Sequence, residues 1–235
     1  MATGGDDNVV RIFQISKDFK RSEKKLEIKH AQAPVTNVDI SRDNRLLVAG
    51  SKDGTAYIVD LTKEGAIIQK LNFKPSPTQK NMIMRSCIFA RDNSLYTLCT
   101  QAQMPTYVIR WQCGQKEGQK SPSWSPETTR EVHYKPSTGM KASRTGTIAV
   151  LCSDGHISLL DASNLTEITR KRRPHVMPIT SIVFREEDNL IVTAGLDYKY
   201  CILPQTSTSF LDYGKTLMFN MALLVLILLY FAEWL

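Results

Sequence analysis

Short apolar stretches joined by tight turns recur along most of the chain before a strongly apolar end. The stretch LLVAGSKDGTAYIVDL, residues 46–61, has the pattern of two strands joined by a Lys-Asp-Gly turn. Residues 95–112 form a similar hairpin without the aspartate, and they fill a long gap in the series. The turn aspartates of the other copies are Asp7, Asp53, Asp154 and Asp197. The pattern predicts an all-β protein built from repeated antiparallel hairpins.

A second pattern runs in phase with these hairpins. Three of them follow another strand that ends in an Asp-Asn turn: VTNVDISRDN, SCIFARDN and ITSIVFREEDN. A histidine precedes the first and the third of these strands, at His30 and His175. Periods of about 40 to 45 residues with four strands each are typical of propeller blades. We therefore expect about five blade equivalents, the first beginning at its second strand and the last ending after its third.

These repeats resemble the WD-repeat family. In that family a histidine before a blade's first strand and an aspartate in a later turn join a hydrogen-bond network that locks the blade. The resemblance implies this structural role for His30 with Asp53 and for His175 with Asp197. It also places the turn aspartates Asp7 and Asp154 in the same network. A catalytic His/Asp site would need a nucleophile at the same place, and the sequence offers none there.

The end of the chain, KTLMFNMALLVLILLYFAEWL, has no charge between Lys215 and Glu233. A helix over residues 217–235 would be about 28 Å long, close to the roughly 30 Å of a bilayer's hydrocarbon core. A buried core helix would keep a polar stripe, which this segment lacks. The anchor residues of this predicted transmembrane helix are Leu217, Leu223, Leu224, Leu226, Leu228, Tyr230 and Trp234.

The predicted organisation is a WD-repeat domain over residues 1–210, a juxtamembrane linker over 211–216 and the transmembrane helix over 217–235. The first residues lack the basic and apolar segments of a signal peptide. Lys215 lies beside the apolar run, and positive charge favours the cytosolic side of a membrane. We therefore expect a single-pass membrane protein whose repeats face the cytosol.

Composition adds few candidates for chemistry. The net charge of +7 suggests an acidic partner or an anionic membrane surface, although Lys and Arg are scattered along the chain. The five cysteines form no CxxC pair and have no histidine at metal-ligand spacing, so we expect neither a disulfide framework nor a metal. Residues 112–130 are rich in Gly, Ser, Pro and charge, which predicts a surface loop. We expect Trp124, within it, to pack back onto its own blade.

The order of blades followed by an anchor resembles one family in particular. The phrases TGGDDNVVRIFQI, RSCIFARDNSLYTLCTQ, TYVIRWQ, PITSIVF and LDYKYCILP are similar to the later part of the endoplasmic-reticulum exchange factor for the Sar-type GTPase. Its animal members are called prolactin regulatory element-binding protein. The resemblance implies a seven-bladed propeller whose earlier blades would precede Met1. It also implies catalysis of GDP release from that small GTPase, which starts COPII vesicle formation at the endoplasmic-reticulum membrane.

The resemblance does not assign a catalytic role to any residue of this sequence. Members of that family use a glycine-rich, potassium-binding loop from the first blade, and this sequence has no such loop, since its only adjacent glycines, Gly4 and Gly5, lie in a hairpin. We therefore expect no cofactor in this chain and leave its exchange activity open. The alternative is a membrane-anchored interaction scaffold without exchange activity. Nucleic-acid binding is not expected, because there is no helix-turn-helix or zinc-finger pattern.

Overall fold

The chain forms antiparallel β-sheets throughout the part that the structure describes. The structure is a computed structural model, and it describes residues 1–76, 82–90, 92–114, 123–171 and 173–205. These residues form eighteen strands and one short 3-10 helix, Glu186–Asp188. The all-β prediction is confirmed, and the strands group into five antiparallel sheets, as many as the expected repeat units.

The sheets have three, four, four, four and three strands, in chain order. The first contains β1 (Ala2–Gly4), β2 (Val10–Ile15) and β3 (Ser22–Ile28). The second contains β4 (Val35–Ile40), β5 (Leu46–Ser51), β6 (Thr55–Asp60) and β7 (Ala66–Asn72). The third contains β8 (Ile83–Phe89), β9 (Leu95–Thr100), β10 (Thr106–Gly114) and β11 (Ser123–His133). The fourth contains β12 (Ser137–Ala142), β13 (Thr147–Cys152), β14 (Ile157–Asp161) and β15 (Glu167–Lys171). The fifth contains β16 (Ile179–Arg185), β17 (Leu190–Gly195) and β18 (Tyr200–Pro204).

The Asp-Asn motifs form the turns between the first two strands of three sheets. Asn44, Asn93 and Asn189 all adopt a left-handed backbone, with φ of 57°, 62° and 54°. Asparagine tolerates this conformation better than most residues, because its short polar side chain can bond locally. In the second sheet, Asp43 accepts hydrogen bonds from the Ser41 hydroxyl and the Arg45 amide, which closes the turn.

The hydrophobic core lies between successive sheets. Separate clusters of buried side chains join the first sheet to the second, the second to the third, the third to the fourth and the fourth to the fifth. A middle strand such as β9 or β13 is therefore buried along its whole length, because both faces of its sheet are covered. This explains why the central strands are continuously apolar or small rather than alternating.

The first strands of successive sheets contact one another. β4 lies against β8, β8 against β12, and β12 against β16, while β1 lies against β4. Side chains connect these strands: Asn37 and Asp39 of β4 accept hydrogen bonds from the backbone amides of Cys87 and Phe89 in β8, both at 2.8 Å. These bonds satisfy amides at the open edge of β8, which no neighbouring strand of its own sheet can reach.

Two predictions about particular segments have different outcomes. The prediction of a surface loop over residues 112–130 is wrong at both ends, because β10 continues to Gly114 and β11 begins at Ser123. Trp124 is only 5% exposed and packs in the core between the second and third sheets, 6.3 Å from the ring of Phe89. Gln69 of β7 also bonds both the backbone amide and the carbonyl of Trp124. Burial of this tryptophan extends the hairpin despite a turn-like composition.

The predicted linker and membrane helix, residues 211–235, lie outside the described residues. Within the described ranges, no helix has the length and apolar character needed to cross a bilayer.

Candidate functional site

Asp53 lies in the turn between β5 and β6 and is bonded to three neighbours. Its carboxylate accepts hydrogen bonds from the Thr55 amide at 2.7 Å, the Tyr57 hydroxyl at 3.0 Å and the Gln32 amide at 3.2 Å. Burial disfavours the charged form, but these bonds outweigh it and lower the pKa of Asp53. His30, its expected partner, has an exposed side chain. Tyr57 thus supplies a side-chain hydrogen bond to Asp53, where the resemblance implied a bond from His30.

The fifth sheet brings His175 and Asp197 together. His175 is buried, and its Nδ1 lies 2.9 Å from a carboxylate oxygen of Asp197. The other ring nitrogen, Nε2, lies 2.9 Å from the hydroxyl of Thr193 on β17. Both nitrogens of the buried imidazole therefore have partners, and the loop before β16 is tied to the turn after β17.

A further buried histidine, which the sequence patterns did not single out, lies where the third sheet meets the fourth. His133, the last residue of β11, is buried, and its Nε2 lies 2.9 Å from Asp154. His156 approaches the other carboxylate oxygen of Asp154, with its Nδ1 at 3.0 Å. Burial opposes ionisation of Asp154, but the bonds from the two histidines outweigh it and lower the pKa of Asp154 to about 2. Asp154 is thus a carboxylate held between two imidazoles.

Asp7 lies in the corresponding turn of the first sheet and has a different environment. It forms an ion pair with Arg11 at 2.6 Å and accepts a bond from the Val9 amide at 3.3 Å. Its side chain is 47% exposed, so this turn is held at the surface rather than inside a buried network.

A cleft runs along the opposite ends of the strands, where the first two strands of each sheet are joined. Its largest depression, about 550 Å³, spans the second, third and fourth sheets, and smaller depressions continue it to the fifth. We call it the Arg144 cleft, since Arg144 lines all three depressions. Its cationic residues are Arg42, Arg110, Lys141, Arg144 and Arg185.

Acidic residues also line the Arg144 cleft, but hydrogen bonds of the local turns hold several of them. Asp92 bonds the Ser94 amide and hydroxyl, and Asp161 does the same with Ser163. By contrast, the exposed side chains of Arg42 and Arg144 have no ion-pair partner among the described residues. The cleft therefore presents guanidinium groups that can bind carboxylates of another molecule.

Comparison with known proteins identifies one repeat directly. Residues 22–60 match the family described as WD domain, G-beta repeat. The chain contains a WD40 repeat. This WD40 repeat begins with β3 of the first sheet and ends with β6 of the second, so one sequence repeat connects two sheets. No curated protein sequence matches the chain.

A solved structure has a similar fold. The crystal structure of the computationally designed Ika8 protein aligns with a TM-score of 0.64 at 18% sequence identity. The alignment covers 86% of this chain and 54% of the designed one, so this chain spans about half the length of that structure. At this identity the similarity shows the fold alone.

The missed histidine had a detectable signal within the WD40-like pattern. His133 precedes β12 by four residues, and His175 precedes β16 by the same distance. The fixed spacing from the first strand of a sheet therefore identifies the buried histidine. His30 precedes β4 by five residues, and its side chain is exposed.

Proposed function

We propose that the chain is part of a WD-repeat propeller that serves as a protein-interaction scaffold, with its five sheets as successive blades. The WD40 repeat at residues 22–60 and the stacking of successive sheets around their first strands support this proposal. Packed sheets with charged turns form a rigid frame on which loops can bind a partner.

The Arg144 cleft is the proposed docking surface, and the observation that carries this is the exposure of Arg42 and Arg144 without ion-pair partners among the described residues. Guanidinium groups on neighbouring turns can each bind a carboxylate in bidentate fashion. The cleft crosses several sheets, so it fits an extended acidic segment of a partner protein better than a small molecule.

More specifically, we propose that the partner is the Sar-type small GTPase and that the chain belongs to its exchange factor. It rests on the sequence resemblance described above. An exchange factor forms no covalent bond with its substrate; it stabilises the nucleotide-free GTPase and so lowers the barrier to GDP release. Because this sequence lacks the glycine-rich, potassium-binding loop, we expect binding of the GTPase with little acceleration of GDP release.

Binding and exchange can be separated in one set of experiments. Affinity for the GDP-bound GTPase is measured by fluorescence anisotropy, and GDP release is followed with a fluorescent GDP analogue. Binding without acceleration supports the scaffold, acceleration supports the exchange factor, and absence of binding rejects this partner.

Charge reversal tests the docking surface. Arg42→Glu and Arg144→Glu should each weaken binding of the GDP-bound GTPase by about tenfold or more. The loss of affinity should be smaller at high salt. Lys199→Glu is the matched control, because Lys199 is exposed in a turn at the other end of the strands. An equal loss in Lys199→Glu would show a general charge effect and would reject the cleft as the docking surface.

We further propose that residues 217–235 anchor the chain in the endoplasmic-reticulum membrane with the repeats in the cytosol. The support is the length and uniform apolarity of the segment and the flanking Lys215. Carbonate extraction should leave the full chain in the membrane pellet and release a chain ending at Tyr213. A glycosylation acceptor added after Leu235 should be modified in microsomes, whereas one between Gly114 and Ser123 should not. The reverse pattern would reject this orientation.

A further inference from the structure

Side chains that commonly bind metals come together where the end of β11 in the third sheet meets the fourth sheet. His133 ends β11, Cys152 ends β13, and Asp154 and His156 follow in the turn before β14. One donor atom each from His133, Cys152 and Asp154 lies within 4.8 Å of the other two. His156 approaches the same carboxylate from its other oxygen. We refer to these four residues as the His133 cluster.

The corresponding place in the fifth sheet shows what is unusual about this cluster. His175 uses both ring nitrogens, one toward Asp197 and one toward the Thr193 hydroxyl. In the fourth sheet, Val150 occupies the position of Thr193, four residues before the turn aspartate. A valine cannot bond an imidazole, and Nδ1 of His133 is buried without a hydrogen-bond partner in the described part of the chain.

Two further differences add donors to the fourth sheet. Cys152 stands two residues before Asp154, where the fifth sheet has Gly195 before Asp197. His156 stands two residues after Asp154, where the fifth sheet has Lys199. Compared with the fifth sheet, the fourth sheet thus has no hydroxyl at the position beside the buried histidine, and it has a thiol and a second imidazole near the turn aspartate. A hydrogen-bond network that only closes the turn requires neither of these donors.

The geometry and charge of the cluster suit a zinc ion. In tetrahedral sites zinc lies about 2.0 Å from nitrogen and about 2.3 Å from sulfur, so its ligands are roughly 3.3 to 3.8 Å apart. The donor atoms of His133, Cys152 and Asp154 already lie within 4.8 Å of one another, and small side-chain rotations would bring them to that spacing. A thiolate and a carboxylate together carry two negative charges, which neutralise Zn²⁺ in a buried setting.

The ion also has a route of entry. His156 retains 16% exposure of its side chain, whereas His133 and Asp154 retain 1% and 6%. The Lys135 ammonium lies 4.0 Å from Asp154, but its side chain is 43% exposed and can turn into solvent. We propose that His133, Cys152 and Asp154 form a zinc site, with His156 at the fourth position.

Cobalt substitution provides the test, because Co²⁺ takes the place of zinc and reports its ligands by absorption. The full chain in detergent is freed of metal and titrated with Co²⁺. We expect one ion per chain, tetrahedral bands in the visible region and a thiolate-to-cobalt charge-transfer band in the near ultraviolet. Zinc should displace the cobalt and abolish both features.

Variants assign the ligands. Cys152→Ser should remove the charge-transfer band, and His133→Gln should weaken binding by at least about tenfold. Cys113→Ser and His175→Gln are the controls and should bind as the parent chain does. Circular dichroism before titration checks that each variant is folded, and Cys152→Ser differs from the parent by only one atom. Absence of a thiolate band in the parent chain, or a band that persists in Cys152→Ser, would overturn the proposal.

Discussion

The carboxylate of Asp39 in β4 accepts a hydrogen bond at 2.8 Å from the backbone amide of Phe89 in β8. The two residues belong to different sheets, so a side chain of the second sheet satisfies a main-chain donor of the third. Burial disfavours the charged form of Asp39 and raises its pKa, although the Phe89 bond and the nearby Lys141 act in the opposite direction. The connection between these sheets therefore includes an aspartate whose ionised form is disfavoured by burial.

Replacement of Asp39 by Asn should make stability less dependent on pH. Because the folded-state pKa of Asp39 is raised, its contribution to stability is present below the ordinary aspartate pKa and is lost as pH rises through the folded value. Asn keeps an oxygen that can accept from Phe89 but carries no charge. Asp39→Asn should therefore melt at a higher temperature than the parent chain at pH 7.5, and the difference should shrink as pH falls toward 4. Asp39→Ala removes the acceptor and should cost about 1 to 3 kcal/mol.

Gly155 is packed against the fifth sheet and does not tolerate a side chain. A Cβ atom there would overlap the carbonyl oxygen of His175, and φ is +84°. Gly155→Ala should destabilise the protein by about 2 to 5 kcal/mol, combining the left-handed penalty with overpacking. Gly146→Ala is the control, because Gly146 has φ of +87° and nothing within 4 Å of the added atom. Denaturant unfolding of Gly146→Ala should show a loss of stability of only about 1 to 2 kcal/mol. Equal losses of stability in the two variants would show that the contact with His175 is unimportant.

Tyr198 occupies a turn position that two other sheets give to glycine. Its φ is +59°, whereas Gly54 and Gly155 take φ of +85° and +84° after their turn aspartates. The Tyr198 side chain is fully exposed, so its removal loses no packing. Tyr198→Gly should stabilise the chain by about 0.5 to 1 kcal/mol, measured by thermal unfolding. Tyr200→Gly, at another exposed tyrosine in β18, should instead lower stability, because glycine weakens a strand.

The bond between Tyr57 and Asp53 should be measurable by a double-mutant cycle. Tyr57→Phe removes a hydroxyl that bonds Asp53 at 3.0 Å and should cost about 1 kcal/mol. Asp53→Ala also leaves the Thr55 and Gln32 amides without their acceptor and should cost about 1 to 3 kcal/mol. The double variant should cost little more than Asp53→Ala alone. Fully additive losses would show that the two side chains do not interact in solution.

Hairpins and turns could be read from the sequence because their determinants are local. The Asp-Asn turns place Asn44, Asn93 and Asn189 in a left-handed conformation that only a few residue types favour. The packing of Trp124 could not be read in this way. Its neighbourhood is rich in turn-forming residues, whereas in the structure Trp124 pairs with Cys113 of β10 and contacts Gln69 and Phe89 from other strands.

The polar networks were only partly predictable for a related reason. His175 and Asp197 follow a simple motif and meet in the structure. In the second sheet, Tyr57 comes from the strand after the turn and bonds Asp53, so a local residue takes the role expected of His30. The His133 cluster combines residues of two sheets, because β11 belongs to the third and Cys152 to the fourth. Spacing along the chain does not reveal ligands that come from separate sheets.

The stacking of sheets also determines how the molecule should come apart. In the described part of the chain, the first sheet shares a core cluster only with the second, and the fifth only with the fourth. An end sheet can therefore open while its neighbour stays folded, as in a one-dimensional array with nearest-neighbour coupling. Amide hydrogens of β2 and β17 should exchange through such partial opening, whereas those of β9 and β13 should exchange only when the whole array unfolds. Resistance to proteolysis should accordingly be greatest at the centre of the stack and decline toward both ends.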